Sequence, residues 1–240
     1  ADEDVVVSAL MTFFTLSTLP GSYRKDMVKK GSVRMALALV DAFKGNKRVC
    51  DSATALFLSL SLKDKDGLNA KYDQIRTIIN RMVQLVCAGE YGRDCAIRVL
   101  FHLSYQKKRV DATGKSLSHD IKAVFGMGEN IGALFAILKE PNVREVSTEA
   151  VVSLLWRMSI PREDENNEGL LPISNNAILS LVRAMELFDS IPIREACCGI
   201  LANLSMRIGF PFDLVHPCFQ TMYRFLVGTN LHDEGLAICS

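Results

Sequence analysis

Residues 195–205 read EACCGILANLS, and this stretch decides how the chain is interpreted because four earlier segments repeat its pattern. Every copy is rich in apolar residues and ends in a polar residue, an apolar residue and a serine. The other copies are VSALMTFFTLS at 7–17, DSATALFLSLS at 51–61, DCAIRVLFHLS at 94–104 and EAVVSLLWRMS at 149–159. Internal repetition at a near-constant period is the sequence signature of a repeat protein.

The polar residue two places before the final serine gives the five copies a common register position. This position holds Thr15, Ser59, His102, Arg157 and Asn203, with spacings of 44, 43, 55 and 46 residues. A period of this length has room for two or three helices in each unit, and the spacing of 55 indicates one insertion.

Apolar residues recur at helical spacing within each copy. Three and two places before and one place after the register position nearly every residue is large and apolar, and seven places before it every residue is small. Such offsets fall on one side of a helix. The intervening stretches 30–40, 73–85, 128–138 and 174–182 are also amphipathic, and no stretch alternates as a strand does. The sequence therefore predicts an all-α fold in which neighbouring helices cross closely at the small residues.

Composition excludes several classes of protein. The 240 residues are 49% hydrophobic and carry a formal net charge of +1, so no global field attracts nucleic acid or an acidic membrane surface. No uninterrupted apolar run reaches the roughly 18 residues that span a bilayer, so we expect no membrane insertion. Seven cysteines without a CxxC pair, and an acidic start without a secretory signal, predict a cytoplasmic protein, with the nucleus as the alternative.

Residues 22–61 resemble one armadillo repeat, with a short helix at 22–30, a second helix led by Gly31 and a long third helix ending at Ser61. Residues 193–205 are similar to the end of the family's third helix. The resemblance covers nearly the whole chain and implies a right-handed α-solenoid of about five repeats. Both ends fall inside repeats, so we expect residues 1–240 to form a single array that is either a fragment of a longer one or closed by atypical end repeats. Two-helix HEAT repeats remain the alternative in the less regular units.

In armadillo proteins the third helices line a concave groove, and the register position faces the ligand. The resemblance therefore implies a partner-binding groove that includes residues of the register column and of the column one turn earlier. These residues are Thr15, Ser59, Arg98, His102, Ser153, Arg157 and Asn203. Only Asn203 matches the asparagine of importin-alpha and catenin relatives. The earlier column holds no tryptophan, since Trp156 falls off it, so recognition of nuclear localisation signals is not expected.

The predicted partner is a protein or extended peptide segment with acidic groups. Arg98, His102 and Arg157 provide donors suited to carboxylate or phosphate. The alternative is that these side chains are merely solvated, or paired with acidic neighbours from adjacent repeats. A basic run in the inserted loop, residues 107–109, is interpreted as a solvated surface rather than as a nuclear signal or a phosphate contact.

The sequence predicts no enzyme. Its four histidines are scattered, neither HExxH nor GxSxG occurs, and the pair Cys197 and Cys198 falls on an apolar stripe where thiols are inert. We therefore expect no catalytic residue, no metal site and no cofactor. The predicted function is a non-catalytic scaffold or adaptor. Nucleic-acid binding by helical repeats and a regulatory role within a larger enzyme remain alternatives, although the near-zero charge argues against the first.

Overall fold

A computed structural model describes residues 2–19, 23–61, 72–89, 91–104, 117–126, 130–160, 171, 174–206, 220–221 and 223–224. Within these ranges the regular secondary structure is helical and no strand occurs, which confirms the predicted all-α class. The helices are α1 (Glu3–Thr18), α2 (Tyr23–Lys29), α3 (Ser32–Ala42), α4 (Lys47–Ser61), α5 (Tyr72–Ala88), α6 (Arg93–Ser104), α7 (Leu117–Gly126), α8 (Asn130–Leu138), α9 (Glu145–Ser159), α10 (Asn175–Leu187) and α11 (Ile191–Ser205). The basic run at 107–109 and Gly128, with which the stretch 128–138 opens, lie outside the described residues.

Each copy of the repeated pattern forms a helix, and these five, α1, α4, α6, α9 and α11, are called the repeat helices. Four of them end on the final serine of the pattern, and α1 ends one residue beyond it. The short helix predicted at 22–30 is α2. Residues 23–61 therefore contain helices of 7, 11 and 15 residues, the short, medium and long order that the sequence indicated.

Local capping explains where several helices begin. Gly31 precedes α3 with a φ of 92°, a left-handed conformation that favours glycine and lets the chain turn sharply after α2. Ser174 caps α10, since its Oγ accepts the backbone N–H of Ala177 at 3.2 Å. Asn46 precedes α4, and its Oδ1 accepts the N–H of Val49 at 3.1 Å. These side chains satisfy N–H groups that have no partner inside the helix.

The chain divides into two compact units, residues 1–134 and 135–240. In the first unit the repeat helices pack in succession, α1 on α4 and α4 on α6, while α3 packs on α4 and α5 on α6. In the second unit α9 and α10 both pack on α11. Each unit thus contains repeat helices side by side. The single array over residues 1–240 stays a prediction.

The core of each unit is built on an inner stripe of the repeat helices, six and three places before and one place after the register position. In α4, α6, α9 and α11 every member is at most 1% exposed. The members are Ala53, Leu56 and Leu60; Ala96, Val99 and Leu103; Val151, Leu154 and Met158; and Cys197, Ile200 and Leu204. Burial of these side chains, at about 25 cal/mol for each Å² of apolar surface, supplies much of the stability of each unit.

The final serine of the pattern closes the end of its own helix. Its hydroxyl donates to the carbonyl oxygen three residues earlier, a group near the helix end where carbonyls lack partners. The four described bonds are Ser17 to Phe14 at 2.7 Å, Ser104 to Phe101 at 2.6 Å, Ser159 to Trp156 at 2.7 Å and Ser205 to Ala202 at 2.9 Å. The recurrence of serine at this place is therefore a helix-ending device.

The same serines also join one repeat helix to the next. The Oγ atoms of Ser17 and Ser59 lie 2.5 Å apart in the core, and the Nδ2 of Asn203 donates to the Oγ of Ser159 at 2.8 Å. Because the single proton of Ser17 is directed to Phe14, Ser59 is the donor in the first pair. In both units the register residue thus bonds the final serine of the preceding repeat helix. We call this contact the serine–register bond.

Removing the buried bond should destabilise the first unit. Ser59→Ala deletes the donor to Ser17, and we expect a loss of about 1 kcal/mol in the free energy of unfolding, the usual net value of one hydrogen bond. A double-mutant cycle with Ser17→Ala, measured by urea denaturation, should give a coupling of about 0.5–1 kcal/mol. Ser205→Ala is the control, because this exposed serine has the same bond within its helix. Additive losses from Ser17→Ala and Ser59→Ala would contradict the bond.

Candidate partner-binding surface

The residues predicted to line the groove differ widely in accessibility. Thr15 is exposed, whereas Ser59 is only 1% exposed. The others are partly buried, namely Arg98, His102, Ser153, Arg157 and Asn203. Thr15, Ser59, Arg98 and His102 belong to the first unit, and Ser153, Arg157 and Asn203 belong to the second.

The structure leaves the Ser59 side chain almost no surface for a partner, because it is packed inside the first unit. The physical reason is the serine–register bond, which turns Ser59 towards Ser17 on the preceding repeat helix. Asn203 points the same way, since its Nδ2 bonds Ser159, but its side chain keeps partial access to solvent. The register position therefore lies between the packed face and the open face of a repeat helix.

The more open face of the repeat helices lies a little earlier in the pattern, and we call it the outer stripe. It comprises the positions eight, four and one places before the register position, which share one side of a helix because they are separated by four and three residues. Its members are Asp51, Ala55 and Leu58; Asp94, Arg98 and Phe101; Glu149, Ser153 and Trp156; and Glu195, Gly199 and Ala202. All of them except Leu58 are exposed or partly exposed.

In the first unit an arginine of the outer stripe precedes the histidine at the register position by one helical turn. Arg98 and His102 are one turn apart on α6, and the His102 ring lies 5.4 Å from that of Phe101. Burial, and to a smaller extent the charge of Arg98, lowers the pKa of His102 below its ordinary value. At neutral pH His102 therefore offers hydrogen bonds without a positive charge. Recognition of an acidic group in this unit would depend on Arg98.

Two opposite charges act on the thiol of Cys95 on α6. Burial raises the pKa of the Cys95 thiol, and the smaller effects of Asp51 and Arg98 on it have opposite signs. Both charges therefore lie close to Cys95, at the packing of α4 on α6.

In the second unit an aromatic ring covers the adjacent repeat helix. A Cβ atom at Gly199 would stand 2.6 Å from Cε2 and 3.0 Å from Cζ2 of Trp156, so the indole lies directly on the α11 backbone. Trp156 itself is not a member of the column one turn before the register position, but it contacts that column on the next repeat helix. Its ring belongs to α9 but reaches the member of that column on α11. The glycine in the column was the sequence signal for this contact.

The surface of the second unit carries polar and charged side chains as well as this indole. Trp156 is partly exposed, and Asn203 lies one turn beyond Gly199 on α11. Glu149 and Glu195, the first members of the outer stripe on their helices, are both exposed. The second unit thus presents an aromatic surface, an amide and two carboxylates, with Arg157 next to Trp156 in the chain.

The adjacent thiols of Cys197 and Cys198 are poorly suited to act as nucleophiles. Burial, and secondarily the neighbouring Cys198, raises the pKa of the Cys197 thiol far above its ordinary value. Burial also raises the pKa of Cys198, whose Sγ lies 3.9 Å from the Met185 sulfur. Thiols held protonated in this way are poor nucleophiles.

In the part of the chain that the structure describes, no three His, Cys, Asp or Glu side chains are grouped to hold a metal ion. None of the described helices has the length and apolar character needed to cross a bilayer.

The lowered pKa of His102 predicts sensitivity to acid. Its contribution to stability is complete above the unfolded-state pKa of about 6.5 and is lost as the pH falls through the lower folded-state pKa. We expect the wild type to lose more unfolding free energy between pH 7.5 and 5.0 than His102→Gln does, as measured by urea denaturation at both pH values. Equal losses in the two proteins would show that His102 titrates as it does in the unfolded chain.

The contact between Trp156 and Gly199 predicts that any larger residue at position 199 destabilises the second unit. Gly199→Ala forces the indole to move and should cost about 1–3 kcal/mol, the usual range for overpacking. Because Trp156 is the only tryptophan, its fluorescence should report the shift directly. Gly132→Ala is the control, since no atom lies within 4 Å of its Cβ, and it should stabilise the protein by about 0.5–1 kcal/mol. Unchanged emission and stability in Gly199→Ala would rule out the contact.

Comparisons of this chain with protein-family models, with curated proteins and with solved structures gave no match.

Proposed function

We propose that this chain is a non-catalytic protein-interaction module of the armadillo type, a scaffold or adaptor that binds segments of partner polypeptides. The observation that carries the proposal is the alignment of the repeat helices. In each unit they pack side by side, with the inner stripe buried on α4, α6, α9 and α11 and most of the outer stripe open to solvent. A series of helices that presents equivalent positions on one side suits an extended ligand, whose residues also recur at regular intervals.

The chemistry of the outer stripe suggests what the partner carries. Arg98 and Arg157 suit acidic groups, as the sequence predicted. Glu149 and Glu195 are exposed and would repel a uniformly acidic segment. Trp156 offers a partly exposed ring to an apolar or cationic side chain. We therefore propose a partner segment of mixed charge, in which acidic residues meet the arginines and a basic or apolar residue meets Trp156.

We place this function in the cytoplasm, with the nucleus as the alternative. All five cysteines among the described residues are free thiols, which supports a reducing compartment. They are Cys50, Cys87, Cys95, Cys197 and Cys198. The net charge of +1 supports a protein partner over nucleic acid, because phosphate binding generally requires an excess of basic residues.

The proposal is tested by identifying partners and then perturbing the outer stripe. Affinity purification followed by mass spectrometry should give partners whose binding segments can be synthesised and measured by fluorescence anisotropy. Arg98→Glu and Arg157→Glu should each weaken such a segment about tenfold, which corresponds to about 1.4 kcal/mol for one charge-assisted contact. Arg76→Glu on α5 and Lys139→Glu after α8 are matched controls, because both side chains are exposed and lie off the repeat helices.

Three outcomes would count against the proposal. Segments bound equally well by Arg98→Glu, Arg157→Glu and wild type would exclude the arginines from the binding surface. RNA retained with a steep dependence on salt would favour the nucleic-acid alternative. Catalytic turnover that copurifies with the chain would favour the enzyme-associated alternative.

A further inference from the structure

Trp156 carries a hydrogen-bond donor that the rest of the second unit does not use. Its Nε1 is the atom nearest to the place that a Cβ at Gly199 would occupy, so the N–H group lies beside the backbone of α11. No described residue accepts a hydrogen bond from this group. Indole N–H groups in partly buried positions usually have an acceptor. Because the side chain is also partly exposed, this donor is available to a group outside the chain.

Asn203, one turn beyond Gly199 on α11, carries an unused acceptor. The Oγ of Ser159 gives its only proton to the carbonyl oxygen of Trp156 at 2.7 Å, so it can only accept from Asn203. The Nδ2 of Asn203 therefore donates to it at 2.8 Å, which fixes the orientation of the amide. Among the described residues nothing donates to Oδ1. The side chain keeps partial access to solvent, so Oδ1 remains available to a ligand.

One donor and one acceptor on the same stretch of α11 match the two polar groups of a peptide backbone. Each residue of an extended segment offers a carbonyl oxygen and an N–H group, and these groups supply much of the affinity when a segment binds in extended form. Glu195 is exposed one turn before Gly199 on α11. Its negative charge disfavours an anionic acceptor beside the indole. A neutral amide carbonyl therefore suits this place better than a carboxylate.

We infer that Trp156 and Asn203 together bind one backbone unit of a partner segment. The Nε1–H of Trp156 donates to a carbonyl oxygen, and the Oδ1 of Asn203 accepts from an N–H. Asn203 cannot make both bonds, because its own donor is held by Ser159. Gly199 acts as a positioning residue, since any side chain there would displace the indole. The inference rests on the proposed function and names the part of the partner that this surface recognises, its backbone.

The probe is acetyl-tetraalanine methylamide, titrated into the full chain labelled with 15N and followed by NMR. Trp156 is the only tryptophan, so its indole N–H gives a single identifiable resonance. This resonance should move saturably to higher 1H frequency, with a Kd in the millimolar range, because two hydrogen bonds exchanged with water add little net affinity. The analogue with every backbone nitrogen methylated keeps its carbonyl oxygens but has no N–H for Asn203. It should bind about tenfold more weakly.

Two pairs of variants separate binding from stability. Asn203→Ala removes the acceptor and should raise the Kd of the peptide about tenfold, without a further loss for the methylated analogue. Ser159→Ala is the matched control, since it removes the same bond between α9 and α11 but keeps the amide, and it should change the Kd less than about twofold. Gly199→Ala displaces the indole and should raise the Kd about tenfold, whereas Gly132→Ala, with no atom within 4 Å of its Cβ, should leave it unchanged.

An indole resonance that the peptide does not move would overturn the inference, and so would equal rises in Kd in Asn203→Ala and Ser159→Ala. A resonance moved by sodium acetate but not by the peptide would make an anion beside Arg157 the ligand instead. A partner segment that loses affinity in Arg98→Glu but leaves the Trp156 resonance in place would overturn the inference and leave the proposed function standing. The expected peptide shift in a chain that binds no partner segment would support the inference and count against the proposed function alone.

Discussion

The packing of one repeat helix on the next constrains the rest of each unit. It brings the register residue of one helix to the final serine of the helix before it, as in Ser59 with Ser17 and Asn203 with Ser159. Sliding one helix by a turn would break this bond, although the same side of the helix would still face the core. A hydrogen bond worth about 1 kcal/mol does not hold the helices together, because the buried aliphatic residues do that. Its role is to select one alignment among several similar ones.

That alignment also decides which side chains remain available to a partner. Once the register position turns towards the preceding helix, the positions eight, four and one places before it become the most open side. Surface chemistry then differs between the two units, with Arg98 and an uncharged His102 in one and Trp156 over Gly199 in the other. The two units therefore present different side chains on a similar arrangement of helices, and such differences can distinguish partners.

Several parts of this description were accessible from the sequence because they depend on local periodicity. The ends of α4, α6, α9 and α11 at the final serine and the buried stripe both followed from spacing and residue type. The burial of Ser59 did not, since serine at this position suits a solvent-facing site as well as a paired one. The reach of Trp156 was also missed, because offsets along one helix do not show that a large ring extends to the next.

The sequence by itself determined that the chain is helical, where the repeat helices lie and which of their sides is apolar, since these features follow from the 3.6-residue period and from end-capping chemistry. Only the tertiary structure decided which polar residues face a neighbour and which face solvent. The reason is that burial depends on what packs against a residue, and residues about 44 positions apart in the chain supply that contact.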